Sequence, residues 1–147
     1  GADGINMGSR FMATQECKIH DNVKQGIVNG KETDTMLINR TLRNTSRVAK
    51  NAISEEVSRI QMDTTKTIDD VRELVAGVRG RTNVMKGGDL DGGIWTVGQS
   101  QGLIHDVPTV AEMVKNVMAQ AEAIIAKRID RMAHGQVAES ARVAIPA

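Results

Sequence analysis

A glycine followed by a serine, Gly8-Ser9, has the residue types of an anion-binding loop near the start of the chain. Gly8 has no side chain to keep a ligand away from the backbone, and Ser9 offers a hydroxyl. A helical turn predicted at residues 11–15 would add backbone N–H groups that have no partner within the helix. The sequence therefore predicts that Gly8 and Ser9 bind an anionic group such as a phosphate.

A secondary-structure element must position this loop. Residues 4–7 form a short run between a turn and Gly8, which is long enough for one buried strand. In (β/α)8 barrels, phosphate sites are built by the loops after the seventh and eighth strands, beside the N-terminus of a short extra helix. We therefore expect residues 4–7 to be a strand that ends at the loop.

Most of the remaining sequence predicts helices. Apolar residues recur at helical spacing in four segments: residues 21–29, 52–62, 68–76 and 106–134. Asn51 and Thr67 stand where N-caps belong, and Asp70 has the N3 spacing of a capping box. Residues 33–38 favour an extended segment. The glycine-rich residues 78–93 predict a loose loop, and their acidic residues lack the full ligand set of a calcium site.

Other side chains could also do chemistry. Four basic residues fall at helical spacing if residues 39–50 form a helix: Arg40, Arg43, Arg47 and Lys50. Such a stripe can bind a cofactor phosphate, although a solvated face is the commoner outcome. His20 could act as an acid or base, but a histidine that orders the chain is the favoured interpretation because no carboxylate pairs with it in the sequence.

Composition excludes several classes of function. The net charge is +1, and the chain has one Phe, one Trp and no Tyr. The sequence therefore lacks the strong positive charge and the aromatic residues that are typical of nucleic-acid-binding proteins, and nucleic acid is not an expected partner. The single cysteine, Cys17, rules out an internal disulfide and favours a reducing compartment. Because no apolar run approaches the length of a membrane span, we expect no membrane partner and a cytoplasmic location.

Three blocks of the sequence carry a resemblance to a known family: GADGINMGSRFMATQE (residues 1–16), LRNTSRVAKNAIS (42–54) and GIWTVGQSQGLI (93–104). In this order they resemble the nitronate monooxygenases, once called 2-nitropropane dioxygenases. The resemblance implies the α/β class and the C-terminal part of an FMN-binding TIM (β/α)8 barrel with a mostly helical insertion, largely α in isolation. The segments it implies are the last strand and FMN phosphate loop (1–16), a helical cap (17–104), a closing helix (105–135) and a tail (136–147).

The resemblance also implies site residues. Met7, Gly8, Ser9 and Gln99 are expected to contact FMN, with Gln99 offering its amide to the edge of the flavin ring and Gly98 allowing close approach. Trp95 would supply apolar bulk there, although core packing explains it as well or better. No catalytic residue or metal ligand is expected in this chain, because the catalytic histidine of the family lies earlier in the sequence. We therefore expect the chain to be a fragment.

The implied activity is the oxidation of alkyl nitronates with oxygen, using FMN. Reduction of quinones by NADH and reduction of enoyl thioesters are alternatives on the same scaffold. A non-catalytic helical interaction module is the alternative from another class, which the methionine-rich helices would suit. The expected partners are a small-molecule substrate with oxygen or with a nicotinamide and quinone pair, and self-association stays open.

Overall fold

The structure, a computed structural model, describes residues 4–134. Six α-helices, one π-helix, one 3-10 helix and two strands follow one another along the described chain. In order they are α1 (Ser9–Met12), α2 (Asp21–Asn29), β1 (Thr35–Ile38), β2 (Ser46–Ala49), α3 (Ala52–Ile60), α4 (Ile68–Val75), α5 (Gly77–Arg79), the π-helix (Gly80–Lys86), the 3-10 helix (Gln99–Leu103) and α6 (Val110–Ala133). A mostly helical chain with a small sheet is consistent with a fragment of a TIM barrel. None of the helices within residues 4–134 combines the length and hydropathy that crossing a bilayer requires.

The chain divides into two units at Val110, and the first unit contains two hydrophobic clusters. Strand β2 contributes to both clusters, because Val48 belongs to one and its neighbour Ala49 to the other. This follows from strand geometry, in which successive side chains point to opposite faces. The cluster around Ala49 contains Trp95, and the cluster around Val48 joins the hairpin to α3 and α4.

An antiparallel hairpin occupies the segment where the basic stripe was predicted on a helix. Strands β1 and β2 pair in the register Thr35↔Ala49 to Ile38↔Ser46, so residues 39–50 do not form the helix on which the basic stripe depends. Asn39 and Arg43 have φ values of 59° and 53°, in the left-handed region, which interrupts any helix through this segment. The pairing with β1 then decides the structure, since strand partners outweigh weak local preference.

The helices with clear caps are confirmed. Helix α2 has the predicted bounds, and His20 caps it because its Nδ1 accepts a hydrogen bond of 3.1 Å from the N–H of Asn22. His20 therefore orders the chain, as the favoured interpretation held. Helices α3 and α4 begin after Asn51 and Thr67, and both have complete capping boxes. Asp70 closes the second box by accepting from the N–H of Thr67 at 2.8 Å.

Three other expectations differ from the structure. Residues 4–7 form no strand, and no strand of the described chain lies beside them to supply ladder hydrogen bonds. The predicted turn at 11–15 begins earlier, as α1, because the backbone of Gly8 is already helical. Residues 78–93 are not a loose loop, since α5 and the π-helix fill half of this segment.

The described part of the second unit is residues 111–134, nearly all of them in α6, and the first residue of α6, Val110, belongs to the first unit. This helix begins at Val110 rather than at residue 106, because the carboxylate of Glu16 accepts from the N–H of Val110 at 3.0 Å. Pro108, two residues before the helix, is bonded elsewhere, because its carbonyl accepts from the N–H of Gln15 at 3.0 Å. Several large apolar side chains of α6 are exposed, among them Met118, Ile125, Ile129 and Met132. The predicted end of the helix near residue 135 and the tail 136–147 lie outside the described residues.

Asn51 connects α3 to a distant loop, and this double role leads to a testable prediction. Its Oδ1 accepts from the N–H of Ser54 at 2.8 Å, while its Nδ2 donates to the carbonyls of Leu90 and Gly93 at 2.7 and 2.9 Å. Asn51→Ala removes all three bonds, and we expect it to lower the free energy of unfolding by roughly 2 kcal/mol or more.

Asn51→Asp is the matched variant, because a carboxylate caps a helix as well as an amide does but cannot donate to the two carbonyls. Urea denaturation should therefore place the aspartate variant between the wild type and the alanine variant. Equal stability of the two variants would show that the cap contributes no more than is lost by repulsion between the carboxylate and the two carbonyl oxygens.

Candidate functional site

The predicted phosphate loop has one open side. Gly8 is the N-cap residue of α1, and no side chain caps this helix. A Cβ atom added at Gly8 would meet no atom within 4 Å, and the residue is exposed. Met7 before it is half-buried. The first backbone N–H groups of a helix have no partner within the helix, so the open side of Gly8 is suited to an anion.

Ser9 connects this loop to the third sequence block. The N–H of Gly98 donates to Ser9 Oγ at 2.8 Å across 89 positions of sequence, and Ser9 is buried. A serine hydroxyl has one proton to donate besides its acceptor lone pairs, so Ser9 can still donate to a ligand. The structure thus brings Gly8, Ser9 and the segment of Gly98 together.

Gln99 follows Gly98 as the first residue of the 3-10 helix, and its side chain is exposed. Gln101, two positions later, is buried and donates from Nε2 to the carbonyl of Lys31 at 2.8 Å. The two residues therefore differ: Gln101 is bonded within the fold, and Gln99 is an exposed residue next in sequence to Gly98.

Ser100 was missed by sequence reasoning. A Cβ atom added at Gly98 would lie 3.3 Å from Ser100 Oγ and 3.5 Å from Ser9 Oγ. Both hydroxyls therefore lie near the same side of Gly98. The only sequence signal was a hydroxyl residue two positions after a glycine, which is too common to predict a site.

A brace of polar contacts, made by Arg10, Gln15 and Glu16, connects the loop to residues 106–110. The guanidinium of Arg10 donates from Nη1 to Asp106 Oδ1 at 2.7 Å and from Nη2 to the carbonyls of Ala13 and Asp106 at 2.8 and 3.0 Å. Charge-assisted bonds from a planar guanidinium fix both distance and direction. Together with the contacts of Gln15 and Glu16 to residues 108–110, this brace gives the loop a defined position.

The remaining candidates have structural roles. Trp95 is buried in a hydrophobic cluster and donates from Nε1 to the carbonyl of Leu90 at 3.2 Å, which agrees with core packing. The basic residues do not share one helix face: Arg47 donates to Thr35 Oγ1 at 2.8 Å, and the Lys50 ammonium lies 3.7 Å from Glu55. The hairpin therefore removes the geometric reason for a phosphate site on the stripe.

Other polar features of the described chain lie away from the loop. A cavity of about 320 Å³ is lined by residues of α2, the hairpin and the segment 90–101, and includes none of Met7, Gly8, Ser9 and Gln99. The hydrogen bond from Arg59 lowers the pKa of Glu56, and the N–H of Thr67 lowers the pKa of Asp70. Both shifts belong to exposed contacts of α3 and α4 and report on these helices rather than on a reacting group.

Comparisons with known proteins agree with the three sequence blocks. The sequence profile of the nitronate monooxygenase family matches residues 1–120. Probable nitronate monooxygenases of Staphylococcus aureus strains Newman and JH9 are each 32% identical to the chain over 63 residues, which is 43% of this chain and 18% of theirs. The matched part of the chain thus corresponds to less than a fifth of the length of each of these relatives.

Solved structures of FabK from Thermotoga maritima have a similar fold. One matches with a TM-score of 0.76 and 25% identity over 84% of this chain and 38% of its own. A point mutant of the same protein matches with a TM-score of 0.71 over 88% of this chain and 38% of its own.

Proposed function

We propose, on the premise that this chain belongs to the nitronate monooxygenase family, that it supplies the phosphate loop of an FMN-dependent oxidoreductase. The observation that carries this proposal is the 2.8 Å hydrogen bond from the N–H of Gly98 to Ser9 Oγ. It joins two of the blocks on which the resemblance depends, at a loop whose glycine leaves one side open.

The residues present offer the open space and the hydrogen-bond donors that the phosphate of FMN requires. The open side of Gly8 can admit a phosphate, and backbone N–H groups with the Ser9 hydroxyl can donate to it. Gln99, with its exposed amide, can donate to or accept from the polar edge of the ring. When bound, FMN supplies the electron transfer, and the protein supplies binding, orientation and electrostatics.

Nitronate oxidation is the activity we propose, because the family profile and the curated relatives bear that name. The substrate would be a small alkyl nitronate, with oxygen as electron acceptor. A flavin-dependent reductase of quinones or enoyl thioesters, with a nicotinamide as donor, is the second candidate. It is kept because the structural similarity extends to FabK, a protein not named as a nitronate monooxygenase.

Two further proposals concern the cellular location of the protein and its self-association. The cytoplasm is the proposed location, because a chain with the single cysteine Cys17 needs no oxidising compartment. Self-association is proposed as one way to cover the exposed apolar side chains of α6, such as Ile125 and Ile129.

The test is spectroscopic. The purified full-length protein is expected to show the absorbance band of bound flavin, and a colourless protein that takes up no added FMN would reject the oxidoreductase proposal in favour of an interaction module. Anaerobic mixing with an alkyl nitronate should then bleach the band, and admitting oxygen should restore it. Bleaching by NADH but not by the nitronate would select the reductase instead.

A further inference from the structure

We propose that Ser100 is a second hydroxyl ligand of the FMN phosphate, acting beside Ser9. This inference rests on the proposed function, because it takes FMN as the ligand of the loop. It adds a residue that neither the family resemblance nor the sequence pattern assigns.

Two serine hydroxyls lie close to the space beside Gly98. Ser100 Oγ and Ser9 Oγ lie 3.3 and 3.5 Å from the point where a Cβ of residue 98 would be. The two oxygens therefore cannot be farther apart than the sum of these distances. A phosphate carries several acceptor oxygens, and each accepts a hydroxyl at about 2.5–3.0 Å, so one phosphate can accept from both serines.

The hydrogen-bond pattern orients the first of these hydroxyls. Because the N–H of Gly98 donates to Ser9 Oγ, the proton of Ser9 points away from that N–H and is available to another acceptor. The same backbone bond fixes the start of the 3-10 helix that carries Ser100. Loop and 3-10 helix are thus joined, and a ligand of Ser9 lies within reach of Ser100.

Ser100 also differs from other hydroxyls of this unit. Ser54 Oγ donates to the carbonyl of Asn51 at 3.0 Å, and Thr14 Oγ1 donates to the carbonyl of Phe11 at 2.8 Å. These bonds serve a helix cap and a turn. Ser100 is an exposed residue whose Oγ lies near Gly98, and no hydrogen bond within residues 4–134 engages this hydroxyl.

The experiment measures binding of two flavins to the full-length apoprotein by flavin fluorescence: FMN, and riboflavin, which lacks the phosphate. Ser100→Ala is expected to weaken FMN binding about tenfold and to leave riboflavin binding unchanged. Ser100→Thr keeps the hydroxyl and should bind FMN like the wild type. Ser58→Ala, on α3, is the matched control and should change neither flavin.

The outcomes separate the two proposals. A wild type that binds neither flavin overturns the proposed function and this inference with it. A wild type that binds FMN, with Ser100→Ala binding it equally well, overturns the role of Ser100 alone. If Ser100→Ala weakens FMN and riboflavin by the same factor, Ser100 shapes the pocket and does not bind the phosphate.

Discussion

Replacing Gly8 by valine is expected to weaken FMN binding by at least ~10-fold while the protein stays folded. No atom of the described chain lies within 4 Å of the added Cβ, and the φ of −104° is open to residues with side chains. The branched side chain therefore meets the phosphate rather than the protein. Equilibrium titration of the apoprotein with FMN measures the effect, and circular dichroism checks the fold.

Gly77→Val is the matched control for this variant. A Cβ at Gly77 also meets no atom within 4 Å, but this glycine lies at the start of α5 and outside the three family blocks. We expect its FMN affinity to equal that of the wild type. Unchanged FMN affinity in a folded Gly8→Val protein would contradict the placement of the phosphate at this loop.

Alanine at Gly80 is expected to have the largest effect on stability, lowering the free energy of unfolding by roughly 3 kcal/mol. The added Cβ would overlap the carbonyl oxygen of Ile94, which is backbone and cannot rotate away. The segment of Ile94 is itself held in place, because the carbonyl of Trp95 accepts from the N–H of Ala49 at 3.0 Å. Relief of the overlap therefore requires the π-helix or this segment to move.

Thermal and urea unfolding measure this loss, and Gly77→Ala is its control. Gly77 opens α5, the short helix that precedes the π-helix, and it has free space where Gly80 does not. The same substitution three residues earlier should be neutral or slightly stabilising, because alanine favours helix over glycine. Equal unfolding midpoints for the two variants would show that the backbone contact is not as close as the structure has it.

The sequence predicted the elements whose signals are local. Asn51 with Ser54 and Thr67 with Asp70 form caps within a few residues, so α3 and α4 could be recognised without any knowledge of the fold. The hairpin could not be recognised in this way. Its ladder joins residues eight to fourteen positions apart, and the left-handed turn residue Arg43 gives no clear warning in the sequence.

The candidate site shows the same division between local and distant information. Gly8 and Ser9 could be chosen from residue types alone, and Gln99 from the resemblance. Ser100 could not be chosen, because its relation to Ser9 exists only after 89 residues of chain have folded back. The expected strand at residues 4–7 depends on distant partners as well, since a barrel strand forms only beside neighbouring strands.

The bond between Ser9 and Gly98 has a consequence for biosynthesis. Closing a loop of 89 residues costs roughly 4 kcal/mol of chain entropy, which contacts within the first unit must offset before the bond can persist. On the ribosome, the loop at Gly8 and Ser9 cannot take its final form until Gly98 and the 3-10 helix have left the exit tunnel. We therefore expect flavin to be acquired late, by a chain whose first unit is already synthesised, and a nascent chain stalled before Gly98 should retain no FMN.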